Sequence, residues 1–366
     1  MLPPAPSHRI LIVTDAWKPQ VNGVVRTLSK MRDGLRERGW EVVVLGPSGF
    51  TMRCPTYPEI RLTLEPTQAI LDTLRDWTPE AVHIATEGPL GRAMRTFCVN
   101  HDWPFTTSFH TRFPEYLKAR FALPRRWTYA YLRGFHRPAQ KVLAPSPSIV
   151  QDLQSRGFTN VELWGRGVDL AQFHPSKRKS FPFTYPIQLY VGRIAIEKNL
   201  GAFLRLNVPG TKLIVGDGPD RQRLQREFPE AVFMGPLFGE ALAEAYASAD
   251  VFVFPSLTDT FGLVMLEALA SGTPVAAFPT SGPLDVITDP RVGVLHADLQ
   301  TAVEGALLLK RDDCYEFAQR HSWRNSVDTF ATAITPLPTY NQGGFAPSSA
   351  VGLRFNSTIL SHSKLR

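Results

Sequence analysis

Short runs rich in apolar residues alternate with stretches of helical periodicity along most of the chain. Ile10–Thr14, Glu41–Leu45, Ala81–Ala85, Pro104–Phe109, Lys141–Ala144 and Val161–Trp164 read as strands, most of them buried on both faces. Between the first two, Val24, Leu28, Met31 and Leu35 recur at helical spacing, and Gly39 takes the place of a C′ residue. Ser148–Arg156 is another helical stretch. The alternation restarts with Ile187–Val191, Lys212–Val215, Val232–Met234, Val251–Phe254 and Val275–Phe278, each followed by a helical signal. Helices over Leu299–Leu308 and Trp323–Ala333 close the pattern. Such alternation predicts a parallel α/β architecture.

The pattern breaks once, at Val168–Pro182, a polar, basic and proline-bounded stretch that suits an interdomain linker. The predicted organisation is therefore a first domain over 1–167, a linker over 168–182, and a second domain over 183–335 that includes the C-terminal helices. From about Pro336 the chain turns to Pro, Gly, Ser, Thr and Asn without periodicity, and 336–366 reads as a disordered tail. The 366 residues suit two such units. The expected fold class is α/β: two Rossmann-like, doubly wound domains facing across a cleft.

Chemistry concentrates in Ser256–Pro274. Asp259 lies in a turn after the apolar strand Val251–Phe254, a helix opens at Gly262, and Glu267 follows Asp259 with seven residues between them. In an open parallel sheet the C-terminal strand ends form the ligand crevice. A helix N-terminus there, with its free N–H groups, suits a phosphate. The plainer account has Asp259 capping the helix and Glu267 facing water. Arg193 and Lys198 leave another strand end five residues apart, where two cations could clamp a diphosphate and stabilise it as it departs, or be surface charges. Gly216 opens Gly-Asp-Gly-Pro, either a close approach to a nucleotide or a plain strand-to-helix turn. In the first domain, Asn22 suits an N-cap and Gly23 allows an anion close to the backbone. His110 ends a strand at the crevice edge, a place for a structural or a catalytic histidine.

The Asp259–Glu267 block resembles the E-x7-E signature of retaining glycosyltransferases, with Asp in the first position. Phe-Gly before the helix and E-A-x-A-x-G-x-P after it both match. Gly192-Arg…Glu-Lys-Asn199, Gly216-Asp-Gly-Pro219 and Asp15-x-Trp-x-Pro-x-x-Asn-Gly-x-x-Arg26 resemble glycosyltransferase family 4, except that Asn22 stands where a Gly-Gly pair is common. The resemblance runs from roughly residue 9 to 333. It is strongest to bacterial GDP-mannose-dependent alpha-mannosyltransferases and to sulfoquinovosyl- and glucosyl-diacylglycerol synthases. It implies the GT-B fold and retaining transfer of a hexose from a nucleotide-diphosphate sugar of GDP-mannose or UDP-glucose/glucuronate type. The implied acceptor is a hydroxyl on a membrane glycolipid or diacylglycerol. By the same resemblance Glu267 binds ribose hydroxyls, Asp259 with the backbone of Phe261, Gly262 and Leu263 holds the hexose, and Gly216 lies near the nucleotide. Arg193 and Lys198 neutralise the leaving diphosphate, and the acceptor enters near Gly23 and His110, with His110 facing the donor sugar. Retention without an enzyme nucleophile implies front-side attack through a short-lived ion pair. There is no D-x-D, so neither a metal nor a cofactor beyond the donor is expected.

Composition is that of an ordinary globular protein, 43% hydrophobic and 20% charged. Three scattered cysteines, Cys54, Cys98 and Cys314, argue against a disulfide framework. The net charge of +7 is unevenly spread: eight Lys or Arg lie within 112–141 against one acid, Glu115, with seven aromatics interleaved. That mixture suits an anionic membrane surface, a solvated face, or a single-strand nucleic-acid groove. No nucleic-acid motif accompanies it, and no nucleic-acid partner is expected. Met1–Arg9 lacks an apolar signal region, and no apolar run approaches about 20 residues. The expected location is cytoplasmic, peripheral on the inner face of the membrane. A nucleotide-sugar epimerase would share the two-domain plan without needing an acceptor. A basic binding protein without catalysis would leave Asp259–Glu267 unexplained.

Overall fold

Two parallel six-stranded sheets organise the chain in the computed structural model, which describes residues 8–20, 22–53, 61–111, 114, 124–259 and 261–337. The first half runs β1 (His8–Val13), α1 (Gly23–Glu37), β2 (Trp40–Leu45), β3 (Thr51–Arg53), β4 (Arg61–Thr63), α2 (Pro66–Asp76), β5 (Ala81–Ile84), α3 (Pro89–Asn100), β6 (Thr106–Ser108), α4 (Arg125–His136), β7 (Lys141–Ala144), α5 (Pro147–Ser155) and β8 (Val161–Leu163). The second runs β9 (Ile187–Val191), α6 (Leu200–Leu204), β10 (Thr211–Val215), α7 (Arg221–Glu227), β11 (Val232–Gly235), α8 (Gly239–Ser248), β12 (Val251–Phe254), α9 (Leu263–Ala270), β13 (Val275–Ala277), α10 (Ser281–Val286), β14 (Gly293–Leu295), α11 (Leu299–Ala306), α12 (Arg311–Ala318) and α13 (Trp323–Ala333). The predicted tail from 338 onward, Cys54 and most of 112–123 lie outside the described residues.

Both faces of each sheet are covered, which is why a strand such as β12 reads as an unbroken apolar run. On β1, Ile10 and Ile12 pack with Leu28, Met31 and Leu35 of α1, while Leu11 and Val13 pack with Ile70, Leu90 and Met94 on the other face. The Asn22 side chain accepts from the Val25 N–H at 3.0 Å and caps α1, and Gly39 ends that helix at φ +81.

Strand order places the crevices. The first sheet is ordered β2-β1-β5-β6-β7-β8 and the second β11-β10-β9-β12-β13-β14. The winding reverses between β1 and β5 in one and between β9 and β12 in the other, and ligands of such sheets lie at the reversal. In the second sheet β9 and β12 share only the registered pairs Val251–Gln188 and Phe252–Leu189. Their carboxyl ends are therefore not laddered together.

One expectation needs correction. The final helix, α13, had been assigned to the second domain, but it packs on the first. Val327, Phe330, Ala333 and Ile334 join the cluster built by Ile10, Ile12, Leu28 and Met31. Arg38 of α1 pairs with Asp328 at 2.7 Å, and the Trp164 indole donates to the Ser326 carbonyl at 3.1 Å. Pro336, placed by sequence in the tail, bridges to Ala81 at the start of β5. The chain thus crosses between the domains twice, near Val168 and near Ser322, and these two residues pair directly. The physical reason is a face of the first sheet that α1 alone does not cover. Burying Phe330 there is worth roughly 1.5–3 kcal/mol.

Among the described residues no helix is long and apolar enough to cross a membrane. The α1–α13 contact gives a direct check. A Cβ on Gly34 would lie 2.6 Å from the Val327 side chain. Gly34→Leu should destabilise the protein by about 1–3 kcal/mol through overpacking. A thermal melt unchanged from wild type would mean that α13 does not pack there.

Candidate active site

The loops after β9 and β12 form the second domain's crevice. Asn199, held in the left-handed region at φ 55, donates its side-chain amide to the Pro255 carbonyl at 3.2 Å and ties the two loops together. Next to it, the Lys198 ammonium lies 2.5 Å from Asp259 Oδ1, so these two predicted site residues form one ion pair. Arg193 stands 4.0 Å from Glu197, and its backbone carbonyl accepts from the buried Tyr190 hydroxyl at 2.7 Å. Asp259 Oδ2, Ser256 Oγ and Thr258 Oγ1 are buried with no hydrogen-bond partner among the described residues. Three orphaned polar atoms in one loop need an explanation, and hydroxyl groups of a ligand would supply partners.

Glycine geometry shapes the same edge. Gly216 has φ +137, and a Cβ there would lie 1.9 Å from the Gly192 carbonyl oxygen. Its missing side chain therefore lets the Gly216–Pro219 turn stack on the Gly192 turn. Gly262 has φ +88 and is the N-cap of α9, which begins at Leu263. No side chain caps that helix, so Asp259 is not its N-cap. Phe261, 9% exposed, closes the loop against the second core.

Glu267 does not face water either. It is 4% exposed, one oxygen bonded to the Arg26 guanidinium of the opposite domain and the other accepting from the Tyr246 hydroxyl at 3.0 Å. Burial pushes its carboxyl above the ordinary range, and Arg26 and Tyr246 pull it back without cancelling the rise. The nearby carboxylate in turn raises the Arg26 pKa. Arg311 anchors the helices around this carboxylate. Its guanidinium donates to the Ala249, Ala247 and Ser271 carbonyls at 2.7, 2.6 and 3.2 Å, gathering the carboxyl ends of α8 and α9. Burial lowers the Arg311 pKa to about 10.

The first domain presents its own reversal across the cleft. Asp15, after β1, is fully engaged in structure: it accepts from the Leu90 N–H at 2.9 Å and the Thr86 hydroxyl at 2.8 Å, and so caps α3. Gly23 is exposed at the start of α1, with open space where a Cβ would be. His110 lies after β6 beside Arg166, whose guanidinium stacks on Trp164 at 4.0 Å and reaches His110 Nδ1 at 3.4 Å. Burial, with Arg166 adding to it, holds His110 well below its usual pKa. Because Arg can only donate, a neutral His110 accepts at Nδ1 and keeps its proton on Nε2, where it can serve as a donor. Arg166 is 6% exposed, and burial lowers it to about 9.

The ten predicted residues thus fall into distinct groups. Lys198 with Asp259, and Arg193 beside them, flank the β9–β12 reversal, with Phe261, Gly262 and Leu263 at the head of α9. Glu267 is joined across the cleft to the helix that Gly23 opens. Gly216 supports the loops, and His110 stays on the first domain's edge. Arg26, Arg166, Tyr246 and Arg311 were not among the predicted site residues. Arg26 did stand in the first-loop motif, but its partner lies 241 residues away.

Comparison with known proteins bears on the family and the fold. Residues 21–172 match Glycosyltransferase Family 4, and residues 186–312 match Glycosyl transferases group 1. The chain is 37% identical over 316 residues to a GDP-mannose-dependent alpha-mannosyltransferase of Mycobacterium tuberculosis, covering 78% of this chain and 83% of that protein. It is 31% identical over 303 residues to sulfoquinovosyl transferase SQD2 of Arabidopsis thaliana, covering 76% of this chain and 59% of that protein. In three dimensions it resembles a sucrose-phosphate synthase from Thermosynechococcus elongatus, with TM-score 0.74, 19% identity, and coverage of 89% of this chain and 98% of the other. Anabaena HepE in complex with UDP-glucose has TM-score 0.66 at 13% identity, with coverage of 89% and 98%. Two parallel sheets with facing reversals, matched along both halves, make the chain a member of glycosyltransferase family 4 with the GT-B fold.

Proposed function

We propose that this enzyme transfers a hexose, with retention, from GDP-mannose or a UDP-glucose/glucuronate-type donor to a hydroxyl of a membrane glycolipid or diacylglycerol. The observation that carries the proposal is the β9–β12 crevice, where a paired lysine and three orphaned buried polar atoms surround the place of a donor. Similarity to a GDP-mannose-dependent alpha-mannosyltransferase over most of both chains favours mannose.

Glu267 then takes the ribose hydroxyls, and Asp259 with the backbone of Phe261, Gly262 and Leu263 takes the hexose. Gly216 keeps the loop beneath the nucleotide close-packed. Arg193 and Lys198 neutralise the diphosphate as the glycosidic bond breaks. Asp259 holds the Lys198 ammonium in position, and a donor phosphate would compete for it. Stabilising charge that develops on the leaving group lowers the barrier more than it tightens ground-state binding. The acceptor hydroxyl attacks from the same face, near Gly23, and its proton goes to the departing phosphate oxygen. His110, neutral and protonated on Nε2, donates to a sugar oxygen and does not act as a base.

The membrane side of the proposal rests on α4. Arg125 and Arg126 are exposed at its start, Trp127 is 67% exposed and Tyr131 46% exposed, while Tyr129, Leu132 and Phe135 face the core. Basic and aromatic side chains together on one outer face suit an anionic headgroup layer.

Three outcomes test the proposal. Nucleotide diphosphate release should occur from one of GDP-mannose, UDP-glucose and UDP-glucuronate, persist in EDTA, and rise when anionic liposomes supply diacylglycerol. Sugar conversion without nucleotide release would favour an epimerase. Lys198→Ala should lower kcat by about 10²–10³-fold, the scale of losing one transition-state charge contact, with little change in melting temperature. A fully active variant would remove Lys198 from the leaving-group role. Replacing Arg125 and Arg126 with Gln should weaken liposome affinity, read by sedimentation, about thirtyfold, at roughly 1 kcal/mol per basic residue, and leave soluble donor binding intact. Undiminished sedimentation would return α4 to a solvated surface.

A further inference from the structure

The buried carboxylate of Glu267 has no cation from its own domain among the described groups that act on it. The groups that face it are the neutral Tyr246 hydroxyl on α8 and the Arg26 guanidinium on α1 of the opposite domain. Each takes a different oxygen, Arg26 at Oε1 and Tyr246 at Oε2, so the plane of the carboxylate is set from two sides. An ionised carboxylate has about four acceptor sites, so each oxygen keeps room for one more donor. Two donors side by side describe a vicinal diol.

Arg26 stands in the first turn of α1, directly after the Asn22 cap and Gly23, and its side chain is 37% exposed. It is not locked in a core and can leave when the domains part. Further contacts close the cleft beside it: Lys30 meets Asp169 at 2.7 Å, and Asp285 of α10 accepts from the Ser148 N–H at 3.2 Å and the Ser148 hydroxyl at 2.5 Å, at the start of α5.

We propose that Arg26 is a positioning residue for donor binding: reaching across the closed cleft, it holds the Glu267 carboxylate aimed so that the ribose diol is gripped fully only when the domains are together. The proposal rests on the assignment of Glu267 to the ribose. It makes donor affinity and domain closure reciprocal, because each strengthens the other through one carboxylate. It also accounts for placing a carboxylate at 4% exposure without a neighbouring cation from its own domain. Open, the site holds the donor loosely and can exchange it; closed, Arg26 supplies the missing charge.

Titration calorimetry on the full chain tests this with GDP, UDP and their 2′,3′-dideoxy forms, against wild type, Arg26→Ala, Arg26→Lys, Glu267→Gln and the Arg26→Ala/Glu267→Gln pair. Arg26→Ala should weaken the preferred ribonucleotide by about tenfold, within the usual range of coupling between sites. It should barely change the dideoxy form, and Arg26→Lys should recover most of the loss. On the Glu267→Gln background, Arg26→Ala should add nothing further. Equal losses for ribo and dideoxy nucleotides would overturn the proposal, since Arg26 would then be acting on the phosphates. Tighter binding by Arg26→Ala would overturn it too, by showing that the guanidinium competes with the ribose. If Glu267→Gln leaves ribonucleotide affinity unchanged, the ribose assignment itself fails, a result separable from either of those.

Discussion

A parallel sheet covered on both faces leaves one place for polar chemistry, the carboxyl ends of its strands. Backbone groups between neighbouring strands are paired and the faces are largely apolar, as the buried runs of β1 and β12 show, while a buried polar side chain such as His83 is hydrogen-bonded. Charges placed elsewhere would need partners inside a core, at high cost. Reversal of strand order then selects a point along that edge, because loops leaving in opposite directions part there. Two such sheets with facing edges produce a cleft, and Arg26, Lys198, Asp259 and Glu267 lie along it.

The second crossing of the chain sets how these edges stand to one another. Helix α13 returns to the first domain and packs Val327 and Phe330 against α1, the helix that also carries Arg26. The first domain is thus completed by residues that follow the second in sequence. The two crossings meet at the Val168–Ser322 bridge, a paired and compact junction. Among the described residues, the contacts that span the cleft include the polar pairs Arg26–Glu267 and Ser148–Asp285, as expected where domains close and open.

The strongly patterned parts of this architecture were legible in the sequence. Apolar runs such as Ile187–Val191, the capped start of α1 and the Gly39 stop reflect local preferences that the tertiary fold then keeps. Strands β3, β4 and β14 were not, nor was α12, a helix with few apolar positions; β6, β8 and β13 are as short, but apolar neighbours such as Phe105, Trp164 and Phe278 lengthen their signal. The motif after β12 was legible as a site for a related reason: a glycine forced to φ +88 and a carboxylate in the following helix leave a mark in the chain itself.

The sequence by itself determined the alternation of elements, the two-sheet plan, and which loops carry chemistry, since all of these follow from periodicity and from residues within one strand–loop–helix unit. Tertiary structure alone decided what those residues touch. Lys198 and Asp259 are separate positions in the sequence and one ion pair in space, and Asp259 could be read as a helix cap until the fold gave it a different partner. Glu267, read either as solvent-facing or as a ribose ligand, is buried against an arginine 241 residues away. The assignment of α13 failed for the same reason. Helical periodicity marks an apolar face but carries no information about which distant surface covers it, because burial of that face is non-directional and only the closed packing of the whole chain selects the match.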